Sequence, residues 1–246
     1  MKKLLLGIAA VCLAGFTFAQ DAPLWMRHSV ISPDGTTIAF TYKGDIYTVP
    51  VAGGRAMQIT TNPAYDTAPV WSPDSKRIAF ASDRMGSLDV YIVAKDGGEP
   101  RRLTTHSGSE TPLAFTDAGH VLFSAGIMPS AEAVVFPSNG QFNQVYRVSV
   151  EGGRPTMISS MPMECISINK EGAMLYQDKK GYEDYWRKHH VSPIARDIWM
   201  YTPGKEPQYR QLTTFGGEDR EPVWAPDGKT FYYLSEENGS FNIYRR

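Results

Sequence analysis

Short runs of apolar, β-prone residues alternate with polar turns along most of the chain. Residues 37–41 read TIAFT and residues 77–81 read RIAFA, and a Ser-Pro-Asp sequence precedes each run. Proline presets φ for a turn, so these sequences favour a reversal of the chain followed by a strand. No long window has the period of an amphipathic helix, and the pattern therefore predicts an all-β protein.

The same elements return in a fixed order, which indicates an internal repeat. The clearest marker is an Asp-Ile-Tyr strand or a variant of it, at residues 45–47, 89–91, 144–146, 197–199 and 242–244. The intervals between the markers are 44, 55, 53 and 45 residues. A turn and a strand precede each marker, and a Leu-Thr-Thr-like segment follows the first four.

Each repeat is predicted to contain four short strands. The strand after the Pro-Asp turn comes first, then the marker strand, a Gly-Gly reversal with the Thr-Thr strand, and a segment such as APVW or EPVW. Four strands in a unit of about 40 to 45 residues are typical of a β-propeller blade. A β-sandwich also has many short strands, but it does not need the same turn at every fourth strand. We therefore predict a propeller of four-stranded blades, with four complete units and a truncated fifth.

The repeated polar and aromatic residues are interpreted as structural. Gln144 and Asn242 replace the marker aspartate in two units, which favours a loop hydrogen bond over a metal or catalytic role. The recurring Tyr and Trp are expected to pack in and between blades.

Two units carry insertions before the marker strand, at residues 124–143 and 177–196. Loops of that length in a compact domain are often functional or disordered. The repeat also stops after the fifth marker, before a Gly-Gly turn or a Thr-Thr strand. An unfinished ring leaves exposed strand edges, so we expect the chain to be the N-terminal part of a longer protein.

The N-terminus has the pattern of a secretory signal. Two lysines precede an apolar run at residues 4–14, and Thr17 and Ala19 are small. The run is short for a membrane span of about 20 residues. Cys12 lies too early for a lipoprotein signal. We predict a signal peptide over residues 1–19, a propeller over residues 20–246, no span after signal removal, and export to the periplasm or the medium.

Charge and cysteine content narrow the choice of partners. Without Lys2 and Lys3, 23 basic and 26 acidic residues leave a net charge of −3, so no nucleic-acid partner is expected. Cys165 is then the single cysteine and cannot form an internal disulfide. It lies in an alternating run and is interpreted as a buried structural thiol.

No catalytic, cofactor or metal constellation is recognised in these residues. There is no Gly-x-Ser-x-Gly elbow, phosphate loop or dinucleotide glycine motif, and no histidine pair has the spacing of a zinc protease. Four loop carboxylates are interpreted as solvated charges, namely Glu183, Asp184, Glu218 and Asp219.

Two longer segments carry a more specific resemblance than the blade repeat. The sequence GYEDYWRKHHVSPIARDIWMY at residues 181–201, followed by the GGEDREPVWAPDG segment within residues 211–244, resembles the N-terminal propeller of tricorn-type serine peptidases. The resemblance implies a six-bladed ring in a longer parent with a second propeller, a PDZ-like module and a serine-bearing catalytic region. It implies a propeller that gates or guides peptide substrates, with no cofactor. A homo-oligomer stays open.

No catalytic residue is carried over from the resemblance. The residues that match the family motif are candidates for peptide contact or for bracing an insertion against a neighbouring domain: Trp186, Arg187, Lys188, His189, His190, Arg196 and Asp197. Two alternatives stay open. The chain could be a Tol-like propeller that scaffolds envelope proteins, or the propeller of a prolyl-oligopeptidase-like enzyme.

The signal prediction has a direct test. Signal peptidase accepts small side chains at the two positions that Thr17 and Ala19 would occupy. We expect the exported protein to begin at Gln20 by intact mass, and Ala19→Arg to block the cleavage. Phe18→Leu is the control and should be processed normally. Recovery of an exported protein that retains residues 1–19 would contradict the prediction.

Overall fold

The structure is a computed structural model, and it describes residues 25–126, 143–178 and 194–246. Within these residues it contains nineteen strands in five antiparallel sheets, which are the blades of a propeller. Blade 1 contains β1 (Arg27–Ile31), β2 (Thr37–Tyr42), β3 (Asp45–Pro50) and β4 (Met57–Gln58). Blade 2 contains β5 (Asp66–Trp71), β6 (Arg77–Ser82), β7 (Asp89–Ala94) and β8 (Arg101–Arg102).

The other blades follow the same order along the chain. Blade 3 contains β9 (Glu110–Asp117), β10 (His120–Ala125), β11 (Gln144–Ser149) and β12 (Thr156–Ser159). Blade 4 contains β13 (Met163–Ile168), β14 (Met174–Asp178), β15 (Ile198–Thr202) and β16 (Gln208–Gln211). Blade 5 contains β17 (Asp219–Trp224), β18 (Phe231–Ser235) and β19 (Asn242–Arg245).

The all-β propeller with four-stranded blades is confirmed, but the strands are grouped differently from the sequence units. The APVW-like segment, predicted as the fourth strand of a unit, is instead the first strand of the next sheet. It pairs there because the Ser-Pro-Asp turn that follows it closes a hairpin with the next strand, as β5 does with β6. The prediction of four complete units and a truncated fifth of a six-bladed ring is therefore corrected. The described residues form five blades.

The first strand of every blade borders the propeller axis. Each first strand pairs with one strand of its own sheet and leaves its other edge free. The first strands of successive blades pack against each other, β1 on β5, β5 on β9, β9 on β13 and β13 on β17. The free edges of these strands therefore form the wall of a central channel.

The blades adhere through apolar faces. Ala39, Ile46 and Ile59 of blade 1 meet the face of blade 2, where Phe80 stacks on Tyr91. Blade 2 turns Ala79, Val90 and Ile92 towards blade 3, and the same arrangement continues to blade 5. Burying one such aromatic or aliphatic side chain contributes roughly 1.5–3 kcal/mol. These contacts confirm that Tyr91 and Tyr146 pack between blades.

The repeated threonine forms hydrogen bonds with the polar groups at the start of the marker strand. The Thr60 hydroxyl accepts the Ile46 N–H at 3.0 Å and donates to the Asp45 carboxylate at 3.2 Å. Thr104 and Thr213 accept the N–H groups of Val90 and Ile198 at 2.9 Å in the same way. All three threonines are buried. The loop hydrogen bond predicted for the marker aspartate is confirmed in blade 1.

A second repeated contact crosses from one blade to the next. The N–H of Asp66, the first residue of β5, donates to the Gly44 carbonyl at 2.7 Å, which brings Asp66 beside Asp45. The corresponding bonds are Glu110 to Leu88 at 2.7 Å and Asp219 to Arg196 at 3.0 Å. Acids therefore lie in pairs at three blade junctions, and all of them are buried except Asp45, which is half-buried.

A β-bulge recurs in the first strands. Four first-strand residues have positive φ values, and the pairing register shifts at each one: His28, Ala68, Cys165 and Glu221. Positive φ is uncommon for residues other than glycine, so the recurrence at one strand position is a property of the blade. The side chains of His28, Cys165 and Glu221 are exposed at the bulge, and that of Ala68 is half-buried.

The bulge corrects the interpretation of Cys165. Its side chain is exposed, not buried, because the bulge interrupts the alternation from which burial was inferred. The protein atoms around the channel wall, together with the charges of Glu221 and Glu164, nevertheless raise the pKa of the thiol to about 11. The thiol is therefore accessible to water but is rarely a thiolate near neutral pH.

The Thr60 hydrogen bond predicts that substitutions of the neighbouring residues Thr60 and Thr61 differ greatly in their effect on stability. Thr60→Val keeps the shape of the side chain but leaves the buried Ile46 N–H without its acceptor. We expect the free energy of unfolding, followed in denaturant by tryptophan fluorescence, to fall by about 1–3 kcal/mol. Thr61→Val is the control, since Thr61 is exposed, and should change stability by less than about 0.5 kcal/mol. Equal effects of the two variants would contradict the assigned role.

Candidate functional site

The candidate site lies where the first strands of blades 4 and 5 meet the segment that leads into β15. The structure describes two of the seven family-motif residues, Arg196 and Asp197. The other five lie outside the described residues, namely Trp186, Arg187, Lys188, His189 and His190. Arg196 contacts Glu164 on β13 and Glu218 before β17, whereas Asp197 contacts Asp178 at the end of β14.

Arg196 joins the two blades by charge. Its Nη1 lies 2.6 Å from Oε1 of Glu218, which leads into β17, and its Nε lies 3.5 Å from Oε2 of Glu164 on β13. The backbone N–H of Arg196 also donates to Oε2 of Glu218 at 3.4 Å. Burial lowers the pKa of Arg196, but the hydrogen bonds and charges of Glu218 and Glu164 raise it by more. The guanidinium is thus a fixed positive charge held between two glutamates.

Glu218 is held rigidly from the blade 5 side. Its N–H donates to Oε1 of Glu236 at 3.0 Å, and the Glu236 N–H donates back to the Glu218 carbonyl at 3.3 Å. A Cβ at Gly217 would collide with the Phe215 ring and lie 3.0 Å from Oε1 of Glu236, so this close approach requires glycine. The Gly216-Gly217 pair, the glycine motif, thus lets the Glu218 side chain turn inward to Arg196.

Gln177 links the site to the bulge of blade 5. Its Nε2 donates to Oε2 of Glu164 at 3.1 Å, and its Oε1 accepts the N–H of Glu221 at 2.9 Å. Gln177 is buried, whereas Glu221 is exposed to the channel. The amide side chain thereby fixes both the Glu164 carboxylate and the backbone of the channel wall.

Asp197 and Asp178 hold the two strand ends together. The Asp197 N–H donates to Oδ1 of Asp178 at 2.8 Å, and the Asp178 N–H donates to the Asp197 carbonyl at 3.1 Å. The indole Nε1 of Trp199 donates to Oδ2 of Asp178 at 3.2 Å, and Gln211 donates to Oδ2 of Asp197 at 3.0 Å. The chain that connects β14 to β15 therefore leaves and returns at one point beside the channel.

Sequence reasoning missed most of this network. Glu218 and Asp219 were interpreted as solvated loop charges, but both are buried. Glu183 and Asp184 lie outside the described residues. The available signal was the Gly-Gly-Glu-Asp sequence, because paired glycines before acids indicate a tight backbone approach. Glu164 and Gln177 had no signal, since each lies in an ordinary strand pattern.

The described residues offer no alternative chemistry at this site. They contain no group of three or more His, Cys, Asp and Glu side chains placed to hold a metal ion. Among the same residues, no helix is long and apolar enough to span a bilayer. The arrangement binds Arg196 and positions carboxylates at the edge of blades 4 and 5.

Comparison with known proteins places this arrangement in a family. The model of the tricorn protease N-terminal β-propeller domain matches residues 23–246. Tricorn protease homolog 1 of Streptomyces coelicolor is 25% identical over 224 residues, which are 91% of this chain and 20% of that protein. The uncharacterized peptidase YuxL of Bacillus subtilis is 30% identical over 231 residues, which are 93% of this chain and 31% of that protein.

Solved structures with low sequence identity share the fold. The crystal structure of the tricorn protease has a TM-score of 0.70 and 19% identity, and the match covers 91% of this chain and 21% of that chain. A putative TolB from Agrobacterium tumefaciens has a TM-score of 0.66 and 16% identity, and the match covers 89% of this chain and 75% of that chain.

The chain spans about a fifth of the length of the tricorn homologue and about a third of that of YuxL. The family model nevertheless covers nearly the whole chain, including the Arg196 segment and the glycine motif. The chain therefore belongs to the family of tricorn protease N-terminal β-propeller domains.

Proposed function

We propose that this propeller guides peptide substrates or products to or from the catalytic domain of a larger serine peptidase. The observation that carries the proposal is the family match over residues 23–246, together with peptidase relatives that extend far beyond the matched region. The acyl-transfer chemistry belongs to a domain outside these residues. What this chain contributes is a channel with defined walls.

The channel geometry is compatible with a guiding role. Each of four first strands has one residue at a bulge, which we propose faces the channel, and these residues differ in size and charge. An extended peptide that passes them would meet His28, Ala68, Cys165 and Glu221. We also propose that the protein acts outside the cytoplasm, since its first residues have the pattern of a secretory signal.

Arg196 is proposed to brace the site and not to contact peptide. Its guanidinium is already bound by Glu218 and Glu164, and only 24% of its side chain is exposed. The Asp197 carboxylate likewise accepts a bond from Gln211, and the Asp197 backbone N–H donates to the Asp178 carboxylate. For the five motif residues outside the described part of the chain, both peptide contact and bracing remain as proposals.

The bracing role predicts a loss of stability without a change in substrate recognition. Arg196→Met removes the ion pair of the buried Glu218 carboxylate, so the free energy of unfolding should fall by about 2 kcal/mol. Arg101→Met is the control: its ion pair with Glu151 is exposed, and the cost should be below about 1 kcal/mol. A raised KM for peptides with unchanged stability would instead show that Arg196 binds substrate.

The guiding role can be tested by narrowing the channel at Cys165. A bulky maleimide polymer attached to this exposed thiol should slow hydrolysis of long peptides by the whole protein severalfold, with little effect on tripeptides. Labelling needs mildly alkaline conditions, because the pKa of the thiol is raised. The Cys165→Ser variant, treated identically, controls for labelling elsewhere.

Two outcomes would overturn the proposal. If the labelled protein hydrolyses long and short peptides as before, peptides do not pass this channel. If the unlabelled protein hydrolyses no peptide but retains envelope proteins on affinity purification, the chain is a scaffold. The similarity in fold to a putative TolB is the observation that favours this scaffold function as the second candidate.

A further inference from the structure

The junction between blades 2 and 3 buries two carboxyl groups side by side. The Glu110 N–H donates to the Leu88 carbonyl at 2.7 Å, which brings Glu110 next to Asp89. Asp89 is 0% exposed and Glu110 is 1% exposed. Two ionised carboxylates cannot both be buried at close range without compensation.

The arginine at this junction is bound to one acid only. Between blades 1 and 2, Nη2 of Arg84 lies 3.0 Å from both carboxylate oxygens of Asp66. Glu110 occupies the position of Asp66 in the next blade, but no ion pair joins it to a described arginine, and its buried carboxyl lies beside Thr104 and Asp89. Arg102 binds Asp89 at 2.9 Å. With Arg102 and Asp89 ionised, the junction is neutral only if Glu110 keeps its proton.

The next junction provides an internal comparison. Between blades 3 and 4, Gln144 stands in place of the marker aspartate and Met163 in place of the following acid. Both acids are therefore replaced together in the same sheet-to-sheet contact. This junction lacks the acid pair, although Glu164 and Asp178 lie near Met163, so it serves as a control for the pair within the same chain.

We propose that Asp89 and Glu110 hold one proton between them, and that its release to water loosens the contact between blades 2 and 3. The proposal concerns the propeller itself and does not depend on the peptidase assignment. The loosening follows because the released proton leaves one net negative charge in a buried site. Blade separation would hydrate that charge.

The surroundings of Glu110 support a titration near neutral pH. Burial is the largest cause that raises the pKa of Glu110, to about 7, and the Asp89 charge raises it further, while Thr104 and Arg102 act in the opposite direction. Asp89 lies on β7, Arg102 on β8, and Thr104 just after β8. Behind Asp89, the Tyr91 ring faces Asp66 and Arg84 of the same blade.

The sign of the effect follows from the two states of the junction. The closed junction binds the Glu110 proton more tightly than the open one, so raising the pH favours opening. The junction is most stable below the ordinary carboxyl pKa of 4.5, and the loss is essentially complete above pH 7 to 8. The opening constant should rise on the order of tenfold between pH 6 and pH 8.

Hydrogen exchange on the full-length protein tests this directly. We expect the amides of Val90 and Glu110, corrected for intrinsic exchange rates, to lose about tenfold in protection between pH 6 and pH 8. In Glu110→Gln, which keeps the size of the side chain but cannot titrate, protection should be the same at both values. Amides of β13, at the junction that lacks this acid pair, should not show this pH dependence in either protein.

Two results would overturn the proposal: protection of Val90 and Glu110 that does not change with pH in the wild type, or an unchanged pH effect in Glu110→Gln. If the variant does not fold, the infrared spectrum of the wild type decides. A protonated carboxyl band that is present at pH 6 and lost by pH 8 supports the shared proton. Its absence at pH 6 contradicts it.

Discussion

The burial of polar strand ends between blades is the constraint on which this propeller depends. Blades adhere by apolar faces, but each strand also brings backbone N–H and C=O groups into the junction, and these must be paired. One threonine hydroxyl per junction does this at three places, by accepting the N–H that follows the marker aspartate. The marker aspartate itself then needs a partner, and Gln58, Arg102 and Gln211 provide one at different junctions. The residues that repeat in the sequence are therefore largely those that form hydrogen bonds with polar groups between sheets.

Much of the fold could be predicted from the sequence, because turn residues and strand alternation are local signals. The Ser-Pro-Asp turn shows why. Asp34 accepts bonds from the Ser32 hydroxyl at 2.6 Å and from the Thr36 N–H at 3.0 Å, and these contacts hold its pKa down at about 2. Such a turn needs no other part of the chain to form. The grouping of strands into sheets is not local, and for that reason the last strand of each unit was assigned to the wrong blade.

The candidate site was less predictable, because its contacts join residues far apart in sequence. Arg196 was identified by its motif, but the glutamates that bind it come from β13 and from the approach to β17. Burial of Glu218 depends on Gly217, because a side chain at position 217 would collide with the Phe215 ring. The burial predicted for Cys165 was wrong for a different reason. A single bulge shifts the alternation of side chains from which burial was inferred. Side-chain networks across blades therefore require the tertiary structure.

The recurring bulge separates the packing of the blades from the lining of the channel, two properties that are usually coupled in a β-sheet. Side chains on the sheet faces determine how blades pack, and a change there alters stability. A bulged residue lies outside the regular pairing and contributes little to that packing, and histidine, alanine, cysteine and glutamate all occupy this place in different blades. The wall of the channel can thus vary its charge and width while the blades stay as they are. A single scaffold could in this way acquire channels of different selectivity through substitutions at one position per blade.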